Sequence, residues 1–304
     1  MGKLVGLAAL VVTLLVLAVV VLVAAVSGAS PGSGAGSAAG SAGVASGRDP
    51  ALPPAWAALE QTAAATCPGL SWSVLAAIGT VESDSGRSTA PGVASGANAA
   101  GAEGPMQFEP ATFAAHATVG PGGVSPADPY DAVDAVYTAA SLLCADGAGS
   151  TSGLRSAVLA YNHSTTYADT VLTLSLAFAD DPTVDGRVVA ALSFAAGQLG
   201  TPYLWGGDGP GGFDCSGLSR AAFASAGVTL PRVAQDQYAA GPPVADGSVV
   251  RPGDLVFFGS GPGRVDHVGI YVGAGLMVDA PHTGAVVRVE PASWSGLVGA
   301  TRPG

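Results

Sequence analysis

Phe213-Asp214-Cys215-Ser216-Gly217-Leu218 is the stretch that decides how the C-terminal half of the chain folds. A glycine-rich loop, Gly206 to Gly212, runs into it. Leu218, Ala222 and Phe223 then follow at helical spacing, and Gly227 is a natural stop. The pattern predicts a helix with Cys215 in its first turn. In the first turn of a helix the macrodipole favours a thiolate, so this is where a nucleophilic cysteine belongs. Taken alone, the motif also fits a buried structural cysteine near a helix start.

Working outward, Asp266-His267-Val268-Gly269-Ile270-Tyr271-Val272 and Leu276-Met277-Val278-Asp279 read as two strands joined by a Gly-Ala-Gly turn. His267 and Asp279 each stand six residues from Gly273, so a hairpin centred there makes them cross-strand neighbours. A carboxylate beside an imidazole fixes its tautomer and stabilises the imidazolium. With Cys215 upstream, the trio reads as nucleophile, base and orienting group. His282 is an alternative for the third role. Leu255 to Phe258, Val268 to Val272 and Ala285 to Val289 are the expected β runs, after one or more helices that begin near Arg187.

Four stretches in order, Gly200-Thr201-Pro202-Tyr203-Leu204-Trp205-Gly206-Gly207, Asp214-Cys215-Ser216-Gly217, Arg251-Pro252-Gly253-Asp254-Leu255-Val256-Phe257-Phe258 and His267-Val268-Gly269-Ile270-Tyr271, resemble the NlpC-like family of cell-wall cysteine peptidases. The resemblance covers residues 187–304 and implies a papain-like α+β fold. It implies hydrolysis of a stem-peptide bond next to D-glutamate, without a cofactor. Cys215 carries over as nucleophile, His267 as base and Tyr203 as a hydroxyl near the nucleophile. The family often has histidine in the third position, where this chain has Asp279.

From Trp56 to about Ala179 the apolar spacing is helical. Val74, Ile78 and Val81 form one stripe of a helix over residues 71–85, and Glu82 continues that stripe. A carboxyl held against apolar surroundings stays protonated near neutrality and suits a general acid, although most glutamates at helix ends turn outward. Glu82-Ser83, Gly101-Ala102-Glu103-Gly104-Pro105-Met106-Gln107-Phe108 and Ala160-Tyr161-Asn162 resemble the lytic transglycosylases with their lysozyme-like fold. That resemblance implies that Glu82 cuts the glycan with formation of a 1,6-anhydro ring, while Gln107 and Tyr161 bind sugar. His163-Ser164 depart from the family's usual small residues. Asp84 and Glu109 leave a two-carboxylate muramidase open. Trp56 and Trp72 read as core.

Residues 4–26 are an unbroken run of 23 apolar or small residues after Lys3, enough to cross a membrane as a helix, with Ser27-Gly28-Ala29 as a possible cleavage site. Residues 27–53 are a Gly/Ala/Ser-rich linker. The expected architecture is therefore multidomain: a transmembrane anchor or signal (1–26), the linker, a mainly α lysozyme-like domain (54–180), a short linker (181–186) and an α+β papain-like domain (187–304). Everything after residue 30 is expected outside the membrane, at the extracytoplasmic face or in the wall. In such a compartment two of three cysteines pair, and Cys67 with Cys144 flank the helical domain. The four histidines are scattered, so no metal site is expected. A net charge of -11 argues against a nucleic-acid partner. The expected partners are peptidoglycan, the membrane, and secretion or conjugation machinery. The competing reading is a wall-binding structural component of an export or conjugation apparatus with only one active domain.

Overall fold

The computed structural model describes residues 51–304 apart from Asp246, Trp294 and Gly304. The expected anchor (1–26) and nearly all of the expected linker (27–53) lie outside the described residues. None of the described helices is long and apolar enough to cross a membrane.

Helices come first along the chain: α1 (Pro54–Ala64), α2 (Trp72–Ser83), α3 (Pro110–His116), α4 (Ala132–Ala145), α5 (Thr151–Asn162) and α6 (Thr165–Asp180). Several starts are written locally. Asp131 accepts from the amides of Val133 and Asp134 ahead of α4, and Ser150 and Ser164 cap α5 and α6 in the same way. Helix α2 carries Val74, Leu75, Ala76, Ala77 and Ile78 buried in succession, and both α1 and α6 pack against it. Cys67 and Cys144 are joined by a disulfide that ties the chain after α1 to the end of α4.

The expected short linker (181–186) leads through a turn into the helix that starts at Gly186. Val184 is buried, and its carbonyl accepts a hydrogen bond from the Ala51 amide at 2.8 Å. Ala51 and Leu52 are buried as well, so the last residues of the expected linker pack with the folded part. All described residues fall in one compact unit, and α6 packs on both α7 and β2, carrying the core across the junction.

Beyond the turn come α7 (Gly186–Gly197), α8 (Cys215–Ser225), α9 (Ala234–Ala240) and the strands β1 (Leu255–Gly261), β2 (Arg264–Gly273), β3 (Leu276–Asp279), β4 (Arg288–Pro291) and β5 (Leu297–Thr301). The strands form one antiparallel sheet in the order β4-β3-β2-β1-β5. Alternation sorts its side chains: Leu255, Phe257, Val268, Ile270 and Val278 join the main core, while Val256, Phe258 and Met277 form a smaller one.

Two details differ from the sequence expectation. The hairpin turn is Ala274-Gly275, both at positive φ (53° and 75°), as a two-residue type I′ turn requires, and it is not centred on Gly273. The expected strand 285–289 is divided: Ala285 and Val287 bond the 200–203 segment, and only residues 288–291 join the sheet.

Candidate active site

Asp214 builds the start of α8. Its Oδ1 accepts from the Gly217 amide at 2.7 Å, and its Oδ2 accepts from the Gly206 amide at 3.0 Å. The same carboxylate is gripped by Arg232, which donates from one nitrogen to Oδ1 at 3.0 Å and from the other to Oδ2 at 2.8 Å. Arg232 also reaches the Gly207 carbonyl, so one side chain holds the glycine-rich loop and the helix cap together. A Cβ on Gly217 would stand 2.0 Å from the Gly207 carbonyl oxygen, which is why glycine follows Cys215-Ser216. Cys215, half-buried and not disulfide-bonded, is left as the first residue of the helix.

His267 lies on β2, 8% exposed, and its Nε2 donates to Asp279 Oδ2 at 2.7 Å. Burial alone would lower the imidazole's affinity for a proton. Hydrogen bonds to Asp279 and to Cys215, with the negative charge of both, outweigh burial and raise its pKa from 6.5 to about 9. Since Asp279 occupies Nε2, the ring nitrogen left for the thiol is Nδ1. Asp279 is fully buried at the end of β3.

The carboxylate reaches the imidazole by a different register from the one expected. Ile270 pairs with Val278 and Tyr271 with Met277, so Gly269 falls opposite Asp279 and His267 sits one diagonal step away. The displacement is an even number of residues, so both side chains remain on one face and in reach. A Cβ on Gly269 would meet the Met277 sulfur at 2.5 Å, which keeps this crossing narrow. His282 is exposed and bonds the Thr283 carbonyl.

Tyr203 is half-buried and within electrostatic range of Cys215. Burial pushes its hydroxyl pKa up, the negative charge of Cys215 and Asp214 adds to that, and Arg232 opposes it. Its backbone is held by the Ala285 carbonyl at 2.9 Å. Arg232 had no signal in the sequence: it stands 18 residues from Asp214 in a stretch without a motif.

A second set of groups gathers in the helical part. Glu82, half-buried near the end of α2, has its pKa raised to about 7 by burial, against the pull of the Tyr167 hydroxyl. Tyr161 stacks on Tyr167 with ring centroids 6.4 Å apart and donates to the Met106 carbonyl at 2.9 Å. Burial and the charge of Glu82 together push the Tyr161 hydroxyl pKa well up. Gln107 stands at a φ of 49°, donates to the Gly104 carbonyl and accepts from the Asn98 side chain at 2.9 Å. Tyr167 and Asn98 were not singled out in the sequence, since neither lies in a motif. Asp84 is exposed and paired with Arg87, and Glu109 is exposed ahead of α3. Trp56 and Trp72 pack against the core. Among the described residues no three His, Cys, Asp or Glu side chains converge to hold a metal.

A thiol at a helix start, facing an imidazole backed by a buried carboxylate, is the arrangement of a cysteine peptidase. Residues 200–298 match the NlpC/P60 family, and the chain carries a domain of that family. The chain is similar to a probable endopeptidase of Mycobacterium tuberculosis, with 45% identity over 123 residues that cover 40% of this chain and 31% of the relative. It is similar also to the peptidoglycan endopeptidase RipB of the same species, with 43% identity over 116 residues, 34% of this chain and 47% of that one. Among solved structures it resembles the P60 domain of an antigen from M. avium subspecies paratuberculosis, with 38% identity over 38% of this chain and 93% of that one, at a TM-score of 0.35. The match thus spans 31% and 47% of the full length of these two endopeptidases.

Proposed function

We propose that this chain is an exported peptidoglycan hydrolase whose C-terminal part is a cysteine endopeptidase cutting stem peptides next to D-glutamate. The observation that carries the reading is the contact of His267 with both Cys215 and Asp279. Cys215 attacks the peptide carbonyl as a thiolate, and its sulfur–carbon bond forms as the amine leaves. His267 supplies the proton the amine takes, then draws a proton from the water that releases the acyl group. Asp279 holds the imidazolium through both steps. The backbone N–H groups at the start of this helix are assigned to the developing oxyanion. Tyr203, within electrostatic range of the thiol, is assigned to orient substrate.

The helical part is read as a lytic transglycosylase with a lysozyme-like fold, and the observation that favours it is the Glu82 carboxyl. At a pKa of about 7 it gives a proton to the glycosidic oxygen and then takes one from the sugar's own hydroxyl as the anhydro ring closes. Gln107 and Tyr161 are assigned to the sugar. The apolar run at residues 4–26 and the Cys67–Cys144 disulfide support a place outside the cytoplasm, anchored or secreted.

Digestion of purified peptidoglycan by the whole chain, followed by mass spectrometry, tests both activities. Cut stem peptides and anhydro-muramic ends are expected together. Cys215→Ala should lose the first product alone, and Glu82→Gln the second alone. Peptide products without anhydro ends would make the helical part a wall-binding module; reducing ends in their place would make it a muramidase. No product at all would favour the structural-component reading.

A further inference from the structure

The orienting carboxylate has one oxygen too many for the partners so far described. Asp279 is fully buried, and Oδ2 is used by His267, but Oδ1 is buried without a hydrogen-bond partner. A second orphan lies on the next strand: Glu290 gives Oε2 to Arg288, at 2.7 Å from its Nε, while Oε1 is buried and unpartnered. Asp279 pairs with Arg288 and Met277 with Glu290, so Asp279 and Glu290 share a face of β3 and β4 one diagonal apart.

We propose that Glu290 is a positioning residue that keeps a proton between its Oε1 and Asp279 Oδ1, and so locks the carboxylate that backs His267. Two ionised carboxyl groups are acceptors only and have no donor between them; a single proton satisfies both orphaned oxygens at once. The proton belongs on Glu290. Asp279 already accepts from the imidazole through Oδ2, whereas burial raises the Glu290 carboxyl, the charge of Asp279 and its hydrogen bond add to that, and Arg288 opposes it. The charged groups acting on Glu290 are Arg288 on its own strand and Asp279 on β3; His267 on β2 stands beyond Asp279. Strand β4 is at the sheet edge with β3 as its neighbour. With Oδ1 tied down, the carboxylate cannot rotate, and Oδ2 is the oxygen presented to Nε2.

The catalytic consequence rests on the peptidase reading, but the shared proton does not, and two measurements on the whole chain separate them. Difference infrared spectra of wild type minus Glu290→Gln at neutral pH should show a protonated carboxylic carbonyl band; its absence overturns the shared proton. In stem-peptide hydrolysis, Glu290→Leu should lower kcat by about tenfold or more with KM little changed, and Glu290→Gln, which restores an N–H donor, should recover most of the loss. Equal losses in Leu and Gln variants of unchanged Tm overturn the positioning role. Should the wild type cut no stem peptide, the peptidase reading fails and the infrared band decides the shared proton.

Discussion

Replacing Asp279 with asparagine preserves shape and hydrogen-bonding capacity at β3 but removes the negative charge behind His267. Raising an imidazole from 6.5 to about 9 corresponds to about 3 kcal/mol in favour of the imidazolium. That is a net figure, because burial acts against it, and Asp279 and Cys215 supply the favourable part between them. Losing one of the two, while the burial remains, should cost His267 at least about tenfold in proton affinity, or roughly 1.4 kcal/mol. Removing a charge-assisted bond of about 1.5–3 kcal/mol should also lower kcat/KM on a stem peptide by roughly ten- to a hundredfold. Ring NMR of His267 across pH reads the first quantity directly, and the alkylation rate of Cys215 gives an independent report. Since the folded-state pKa is raised, the contribution to stability is fully present below pH 6.5 and lost as pH rises through about 9. The Tm advantage of wild type over Asp279→Asn should therefore shrink across that window. An Asp279→Asn protein in which His267 still titrates near 9 would refute the assignment of this carboxylate as the group that holds the imidazolium.

Glu60 on α1 is fully buried with neither carboxyl oxygen hydrogen-bonded, and burial raises its pKa from 4.5 to about 9. Folding thus takes up a proton above pH 4.5, so Glu60→Gln should gain stability on wild type as pH rises from 4.5 to about 9, a parallel course in thermal melts being the contrary result. The Cys67–Cys144 disulfide spans 77 residues, so Cys67→Ser with Cys144→Ser should lose about 4.5 kcal/mol of denaturant stability on the loop-entropy account. A loss below 1 kcal/mol would show that the reduced chain is already held by its packing.

How much of this was legible in advance follows from the range of each interaction. The start of α8 is local: the helical spacing of Leu218, Ala222 and Phe223 after Cys215 puts the thiol in the first turn, and the Asp214 cap lies one residue ahead of it. The short apolar runs of β1 and β2 and the helical spacing around Val74 and Ile78 are readable for the same reason. His267 and Asp279 were readable as one face of a hairpin, because side-chain parity survives an even change of register. Their diagonal offset was not, since it depends on Ala274 accepting positive φ.

What only the tertiary structure decided is what joins segments distant along the chain. Arg232 closes on Asp214 across 18 residues, and Tyr167 comes to Glu82 from the start of α6. The Val184 turn is buried against Ala51 where composition alone reads as a linker. Glu290 meets Asp279 through a strand that the β pattern placed at 285–289, while the ladder with residues 200–203 claims the first half of that run. Spacing along a helix or strand is set by backbone geometry and is written in the sequence. Which buried carboxyl finds a donor, and which is left to share a proton, is set by packing between elements, and no local pattern encodes it.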